Sequence, residues 1–225
     1  MYLDNAVYHA LQTQQAPLNI GDSDIAYFNA DVAPFIGMDD WSEMAQDRLK
    51  HLPTDRRFFI MKVKEEVLAA HLESVLTLPL TQMICHQPVA PKNIDATIIQ
   101  LGDANVEEMI ELTSLTKPGP FYKNTIKMGR YYGIREEGKL VAISGERLSL
   151  PDATEISAVC THPNALGKGY GAALVYHVAK QIEADGKLPF LHVRKDNDRA
   201  IALYERLGFT HRSDVYFEIF KTKAE

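Results

Sequence analysis

A chain of 225 residues, 46% apolar and 24% charged, is long enough to bury a real core, which argues against a disordered protein. The formal net charge of −6 argues against the basic face of a general nucleic-acid binder and is compatible with a cationic amine as substrate. No run approaches the roughly 20 apolar residues that span a bilayer, and Met1-Tyr2-Leu3-Asp4-Asn5 lacks the basic start and apolar stretch of a signal peptide, so a cytoplasmic location without membrane partner is expected.

In chain order, residues 7–14 read as a short helix, and 18–20 and 24–28 as strands around Gly21-Asp22. Residues 41–52 predict a helix with Trp41, Met44, Ala45, Arg48 and Leu49 on one face. Residues 57–63 and 82–86 look like strands. No chemistry-bearing pattern marks this part, and an accessory α+β lobe over residues 1–92 is expected. Gln87-Pro88-Val89-Ala90-Pro91-Lys92-Asn93 forms the boundary, because its two prolines lack backbone donors and favour an extended connection.

Residues 93–225 read as a second, catalytic domain. A strand at 95–101 leads to a helix opened by Gly102-Asp103-Ala104-Asn105 and running to Leu115, with Glu107 and Glu108 complementing its dipole. A loop at 117–121 precedes a second helix at 123–128. A hairpin follows, with strands at 130–135 and 139–147 around Glu136-Glu137-Gly138, then a strand at 154–161 that stops before Pro163. Leu166-Gly167-Lys168-Gly169-Tyr170-Gly171 opens a helix whose Leu174, Val175, Val178 and Ile182 make one apolar stripe. A strand at 190–193 precedes a helix from Asp196-Asn197-Asp198, in which Ala200, Leu203, Tyr204 and Leu207 share a face and Gly208 is the C-cap. Two strands, 209–212 and 215–221, close the chain. Cys85 and Cys160 lie in apolar runs and read as buried free thiols.

Glycines at 167, 169 and 171 permit positive φ and can gather backbone amides into an anion-binding concavity at a helix N-terminus. A purely structural turn fits the same pattern. A P-loop does not, because Lys168 is followed by Gly169 rather than Ser or Thr; a dinucleotide fingerprint is disfavoured, although Ala172 is an allowed variant of its third glycine.

Three segments in order carry a more specific signal: Glu155-Ile156-Ser157-Ala158-Val159-Cys160-Thr161-His162-Pro163, the glycine loop, and Asn197-Asp198-Arg199-Ala200-Ile201-Ala202-Leu203-Tyr204-Glu205-Arg206-Leu207-Gly208-Phe209. Together they resemble the GCN5-related N-acetyltransferase (GNAT) superfamily over about residues 95–225, most closely the branch containing the C-terminal domain of glycine N-acyltransferase-like proteins. The resemblance implies an α/β (α+β) fold with a mixed, mostly antiparallel twisted sheet flanked by helices. It also implies direct transfer of an acetyl or other short acyl group from acetyl-CoA to an amine. In the family's pyrophosphate loop Gly169 and Gly171 match the glycines, while Leu166 stands where a polar residue is usual; the backbone from Gly167 through Lys168, Gly169, Tyr170 and Gly171 to Ala172 is implied to bind the diphosphate.

By the same resemblance, Val159, Cys160 and Thr161 pair through their backbone with the pantetheine arm, and the Val159 and Cys160 amides polarise the thioester carbonyl. Asn197 matches a cofactor contact and equally suits a helix cap. Tyr204 matches the general acid that protonates the leaving thiolate, or else packs in the core. Glu155 matches the catalytic glutamate of histone-acetylating members, and partial burial would raise its pKa towards that of a useful base; a surface role is the alternative, with Glu146 in reserve. His162 is expected to be structural, Cys160 not a nucleophile, and no metal site is expected. Phe121, Tyr122 and Tyr131 are expected to line the pocket of a small amine or peptide acceptor; a homodimer is left open. An acyl-CoA sensor without turnover is the second function reading.

Overall fold

A computed structural model describes residues 2–92 and 96–223. Asn93 at the end of the expected boundary, and Asp95 at the start of the expected strand, lie outside the described residues. The chain opens with α1 (Ala6–Gln12), whose Ala6, Val7, Ala10 and Leu11 are buried at helical spacing. The expected strand at 18–20 is reduced to an Asn19–Phe28 bridge and an Ile20 N–H bond to the Tyr27 carbonyl, after a 3₁₀ turn, Ala16–Leu18, in which the fixed φ of Pro17 suits a first helical turn. Strands β1 (Ile25–Tyr27) and β2 (Ile36–Met38) form a small antiparallel ribbon, of which β2 carried no sequence signal.

The helix expected over 41–52 is broken into α2 (Glu43–Gln46) and a 3₁₀ turn, Asp47–His51. Its supposed apolar face is wrong at two positions: Met44 is 82% exposed and Arg48 reaches out to Asp22 and Asp24. Buried Gln46 decides the break, since its side chain bonds the Trp41 and Val67 carbonyls and the Ala69 amide. Those tertiary bonds outweigh local helical preference.

Strands β3 (Phe58–Lys62) and β4 (Leu72–Ile84) follow. β4 is far longer than the expected strand at 82–86. Residues 73–77 of it face solvent, and Pro79 just beyond them argues against a strand when read locally. It forms because β10 pairs with it along its whole length. Then come β5 (Ile98–Leu101), α3 (Val106–Thr116), β6 (Tyr131–Glu136), β7 (Lys139–Ser149), β8 (Ala153–Thr161), α4 (Tyr170–Ala184), β9 (Leu188–Arg194), α5 (Asp198–Arg206) and β10 (Thr210–Thr222). The helix expected at 123–128 is only a 3₁₀ turn, Thr125–Met128. The two closing strands are one, bulged where Arg212 is skipped in the pairing with β4 so that its guanidinium reaches Gln82 Oε1 at 2.6 Å.

The main sheet has eight strands in the order β3-β10-β4-β9-β8-β7-β6-β5, antiparallel except for β8 beside β9. Successive residues face opposite sides. Ala142 and Met83 thus join the core under α4, while Ile143 packs below α3 and Ile84 against the α1 cluster. Strands β3 and β4, from the first 92 residues, lie within this sheet, so the two parts of the chain share one sheet. The proline-rich segment between them lies against the end of α5, where Val89 N–H bonds the Leu207 carbonyl. Gly208 is needed there: its φ is 93°, and a Cβ would sit 2.4 Å from the Gln87 carbonyl oxygen.

Candidate active site

β8 and β9 pair over only three residues each, Ala153 with Leu188, Thr154 with Pro189 and Glu155 with Phe190. Beyond that point the strands part, and a cleft of about 750 Å³ opens between them. Val159, Cys160 and Thr161 line one side, His192, Val193 and Arg194 the other. Strand edges without a partner present free N–H and C=O groups, which an extended ligand arm can bond as an added strand would.

At one end of the cleft lies the glycine loop. Gly167 and Gly169 have φ of 81° and 80°, left-handed values that glycine adopts at no steric cost. Gly169 is the N-cap of the 15-residue α4, and no side chain caps that end. The first-turn amides therefore lack an intrahelical partner and sit at the positive end of the helix dipole. Gly167, Gly169, Tyr170, Gly171 and Ala172 all line the cleft. Two details differ from expectation. Gly171 is already helical and does not use positive φ. Lys168 does not line the cleft; its Nζ bonds Glu136 Oε1 at 2.6 Å, and the Tyr170 hydroxyl bonds the same oxygen at 2.5 Å, so a β6 carboxylate pins the outside of the loop.

Asn197 does cap α5: its Oδ1 accepts from Ala200 N–H at 3.1 Å. It also lines the cleft, leaving the Nδ2 donors for a ligand. Arg194, Arg199 and Arg206 line the cleft as well. Arg194 is paired with Asp196, whereas Arg199 and Arg206 make no ion pair with a described residue. The sequence reading missed these last two; their only signal is a spacing of two helical turns on the helix that carries Asn197 and Tyr204.

Tyr204 is both core residue and cleft residue. Its ring packs against Phe209, with centroids 6.0 Å apart, and burial pushes the phenol up to about 12. The hydroxyl bonds no described residue, and the side chain lines the cleft, so it is a protonated donor with an open hydrogen bond. Upstream, Ala158 adopts φ of 53° at a bulge where β8 slips register against β7. A non-glycine residue held this way costs on the order of 1–3 kcal/mol, and such strain clusters at functional sites. Cys160, just after the bulge, is a buried thiol pushed up to about 11, unsuited to act as a nucleophile.

Glu155 differs most from expectation. It is fully buried, and Arg147 grips it with Nε at 2.7 Å and Nη2 at 2.5 Å, while His192 Nδ1 lies 2.6 Å from Oε1. Desolvation alone would raise its pKa, but the facing Arg147 charge and His192 outweigh it and hold the carboxyl at about 2. The expected rise is therefore a fall. A carboxylate this acidic, already bonded by three donors, is a poor acceptor of a proton from an ammonium. Glu146 is bound to Arg130 and does not line the cleft. His162 is structural, its Nδ1 accepting from Asn164 N–H at 3.2 Å.

The expected acceptor aromatics are elsewhere too. Phe121 and Tyr131 pack edge-to-face under α3, and neither they nor Tyr122 line the cleft. The preceding residues 116–120 do, opposite Phe35, Met61, Leu78, Leu80 and Phe217. These five come from four separate segments of the chain and follow no motif. Among the described residues no group of three or more His, Cys, Asp or Glu is placed to hold a metal ion, and no helix is long and apolar enough to cross a membrane.

The model of the family described as FR47-like protein matches residues 131–218. Over 79 residues the chain is 34% identical to the [ribosomal protein bS18]-alanine N-acetyltransferase of Escherichia coli, covering 35% of this chain and 53% of that protein. Over 91 residues it is 32% identical to the mycothiol acetyltransferase of Streptomyces avermitilis, covering 39% and 29%. The matches thus span about half the length of one curated relative and under a third of the other. Among solved structures, a GNAT-family protein assigned as an acetyltransferase from Novosphingobium aromaticivorans superposes with a TM-score of 0.91 at 30% identity, covering 100% of both chains. A GCN5-related N-acetyltransferase from Kribbella flavida shares the fold at 16% identity, with a TM-score of 0.67 over 98% of this chain and 96% of that one.

Proposed function

Because this chain belongs to the GNAT family of acetyltransferases, we propose that it moves an acetyl or other short acyl group from acyl-CoA to a primary amine. One observation carries this reading: a single cleft joins the uncapped amides of α4 to the unbonded hydroxyl of Tyr204, by way of two parted strand edges. Acetyl-CoA would supply the acyl group as a thioester open to attack by an amine. The residues present suit it. Amides from Gly167 to Ala172 would receive the diphosphate, with Asn197 Nδ2 and the unpaired Arg199 and Arg206 nearby to meet further negative charge. The free edge of Val159 to Thr161 would bond the amide-bearing arm, and amides at the bulge would face the oxygen on which charge develops. Tyr204, kept protonated by burial, would give its proton to the departing sulfur. The nearer likeness to glycine N-acyltransferase-like proteins rests on the three motifs and is part of this proposal, as is a peptide or small amine as acceptor.

Leu166, on the cleft wall where the family usually has a polar side chain, and the ion-paired Glu155 favour a second reading, a module that binds acyl-CoA without turnover. Mixing the protein with acetyl-CoA and a panel of amines decides between them. Thiol release above the acceptor-free rate is the expected result; coenzyme A binding without release would favour the sensor.

A further inference from the structure

The cleft is uneven in charge. Its ionised lining residues are all cations, Lys117, Arg147, Arg194, Arg199 and Arg206, and no aspartate or glutamate lines it among the described residues. This holds although the whole chain carries a formal −6. Where the cleft meets the sheet face that bears α1, its wall is apolar: Phe35, Met61, Leu78, Leu80 and Phe217. Leu78 and Phe217 are direct cross-strand partners. Arg147 stands on this wall, but its charge is met by Glu155, and its Cζ lies 4.8 Å from the centroid of the Phe35 ring. A polycation entering here would lose water and gain no counter-charge, a loss of several kcal/mol for each buried ammonium.

The cleft is also short of a base. Glu155 is committed to Arg147 and His192. Both nitrogens of His192 are engaged: Nδ1 with Glu155, and Nε2 with Gln82 Nε2 at 3.0 Å. The Gln82 amide is oriented by Arg212, which donates to its Oε1, so Nε2 of Gln82 donates and the His192 lone pair is filled. Neither carboxylate nor imidazole is then open at the cleft among the described residues, which favours an acceptor that arrives already neutral. At pH 7.5 an α-amino group, of pKa about 7.7–8.0, is roughly one-third neutral, whereas a lysine-type amine, of pKa about 10.4, is neutral in about one molecule in 800.

We propose that the acceptor is an α-amino group carried beside an uncharged apolar side chain, and that this side chain seats against Phe35, Met61, Leu78, Leu80 and Phe217. The first residue of a peptide and an amino-acid amide share this chemistry; in a free amino acid the adjacent carboxylate favours the ammonium and leaves less neutral amine. The inference rests on the transferase reading above. The neutral nitrogen forms the C–N bond as the C–S bond breaks. Tyr204 gives its proton to the leaving sulfur; the proton shed by nitrogen goes to water, from which the phenol is restored.

The test follows thiol release from acetyl-CoA at pH 7.5 with leucine, leucinamide, a Leu-Gly-Gly peptide, glycinamide, Nα-acetyl-lysine and spermidine, alongside calorimetric binding of coenzyme A. For at least one leucine compound kcat/KM is expected on the order of 100-fold above Nα-acetyl-lysine and spermidine, following the neutral fractions, and above glycinamide. Leucine against its amide and peptide tells a free amino acid from a chain end. In Leu78→Asp, at a half-buried position, KM for the preferred leucine compound is expected to rise at least tenfold while coenzyme A affinity stays the same; Phe217→Ala, which adds no charge, should raise it less. Spermidine or Nα-acetyl-lysine as the best acceptor, glycinamide matching the leucine compounds, or an unmoved KM in both variants overturns the inference and leaves the transferase reading standing. Coenzyme A binding with no thiol release from any acceptor overturns the transferase reading, and this inference with it.

Discussion

The two ends of the cleft are built in different ways. The end at α4 is made from consecutive residues, 167–172, together with one short helix that brings Asn197, Arg199, Tyr204 and Arg206. The end at the α1 face is made from β3, β4, β7, β9 and β10 and the loop holding Phe35, with a buried Arg147–Glu155–His192 cluster below it. The first end presents backbone amides that no side chain caps, and side-chain changes there cost the fold little. The second relies on buried side chains that also hold the fold together. Substitutions at the first end should therefore damage function in a folded protein, and those at the second should damage folding first.

The largest expected effect tests the second end. Glu155→Gln leaves the Arg147 charge buried without its counter-ion, and loss of about 3–5 kcal/mol is expected in chemical denaturation. The same cluster sets an acid limit. Glu155 falls from an ordinary 4.5 to about 2 on folding, so its contribution is complete above about 4.5 and is lost as pH drops towards 2. Unfolding midpoints measured between pH 6 and pH 2 should fall across that window in the native protein and fall less in Glu155→Gln. If Glu155→Gln were as stable as the native chain, the contrast between the two ends would fail.

Tyr204→Phe should behave in the opposite way, with a drop in kcat on the order of 10²–10⁴ and little change in the unfolding midpoint, because its hydroxyl bonds no described residue. Next comes Gly169→Asp, which forces a side chain into a left-handed φ at roughly 1–2 kcal/mol and sets a negative charge beside the amides of α4. Coenzyme A affinity should weaken more than about tenfold by calorimetry, since each 1.4 kcal/mol is one factor of ten. The smallest effect is expected of Arg199→Ala: a few-fold loss of coenzyme A affinity that fades above about 0.5 M salt, as screening removes exposed charge interactions.

How much of this was legible follows the same division. α4 and its stripe, α5 with its Asn197 cap and Gly208 stop, the β6–β7 hairpin and the approach of β8 to the glycine loop could all be read locally, because caps, turns and 3.6-residue periodicity act over a few residues. The length of β4 could not, since its exposed residues 73–77 are ordered by pairing with β10 more than a hundred residues later. The cleft lining was not legible for the same reason: the expected Phe121, Tyr122 and Tyr131 do not line it. Aromatic residues near the right loop look alike in sequence, and only packing sends Phe121 and Tyr131 under α3 while Phe35 and Phe217 reach the cleft.

What the sequence determined by itself was the glycine turn that opens α4 with uncapped amides and the placing of Tyr204 and Asn197 on the α5 segment, because caps, turns and helix starts follow from local backbone geometry. What the tertiary structure decided was the character of Glu155. Burial without partners would have made it a weak acid fit to take a proton. Burial beside Arg147 and His192 made it an anion down to about pH 2, because a pKa answers to the charges within a few ångströms and those come from strands that are distant or run in opposite directions along the chain.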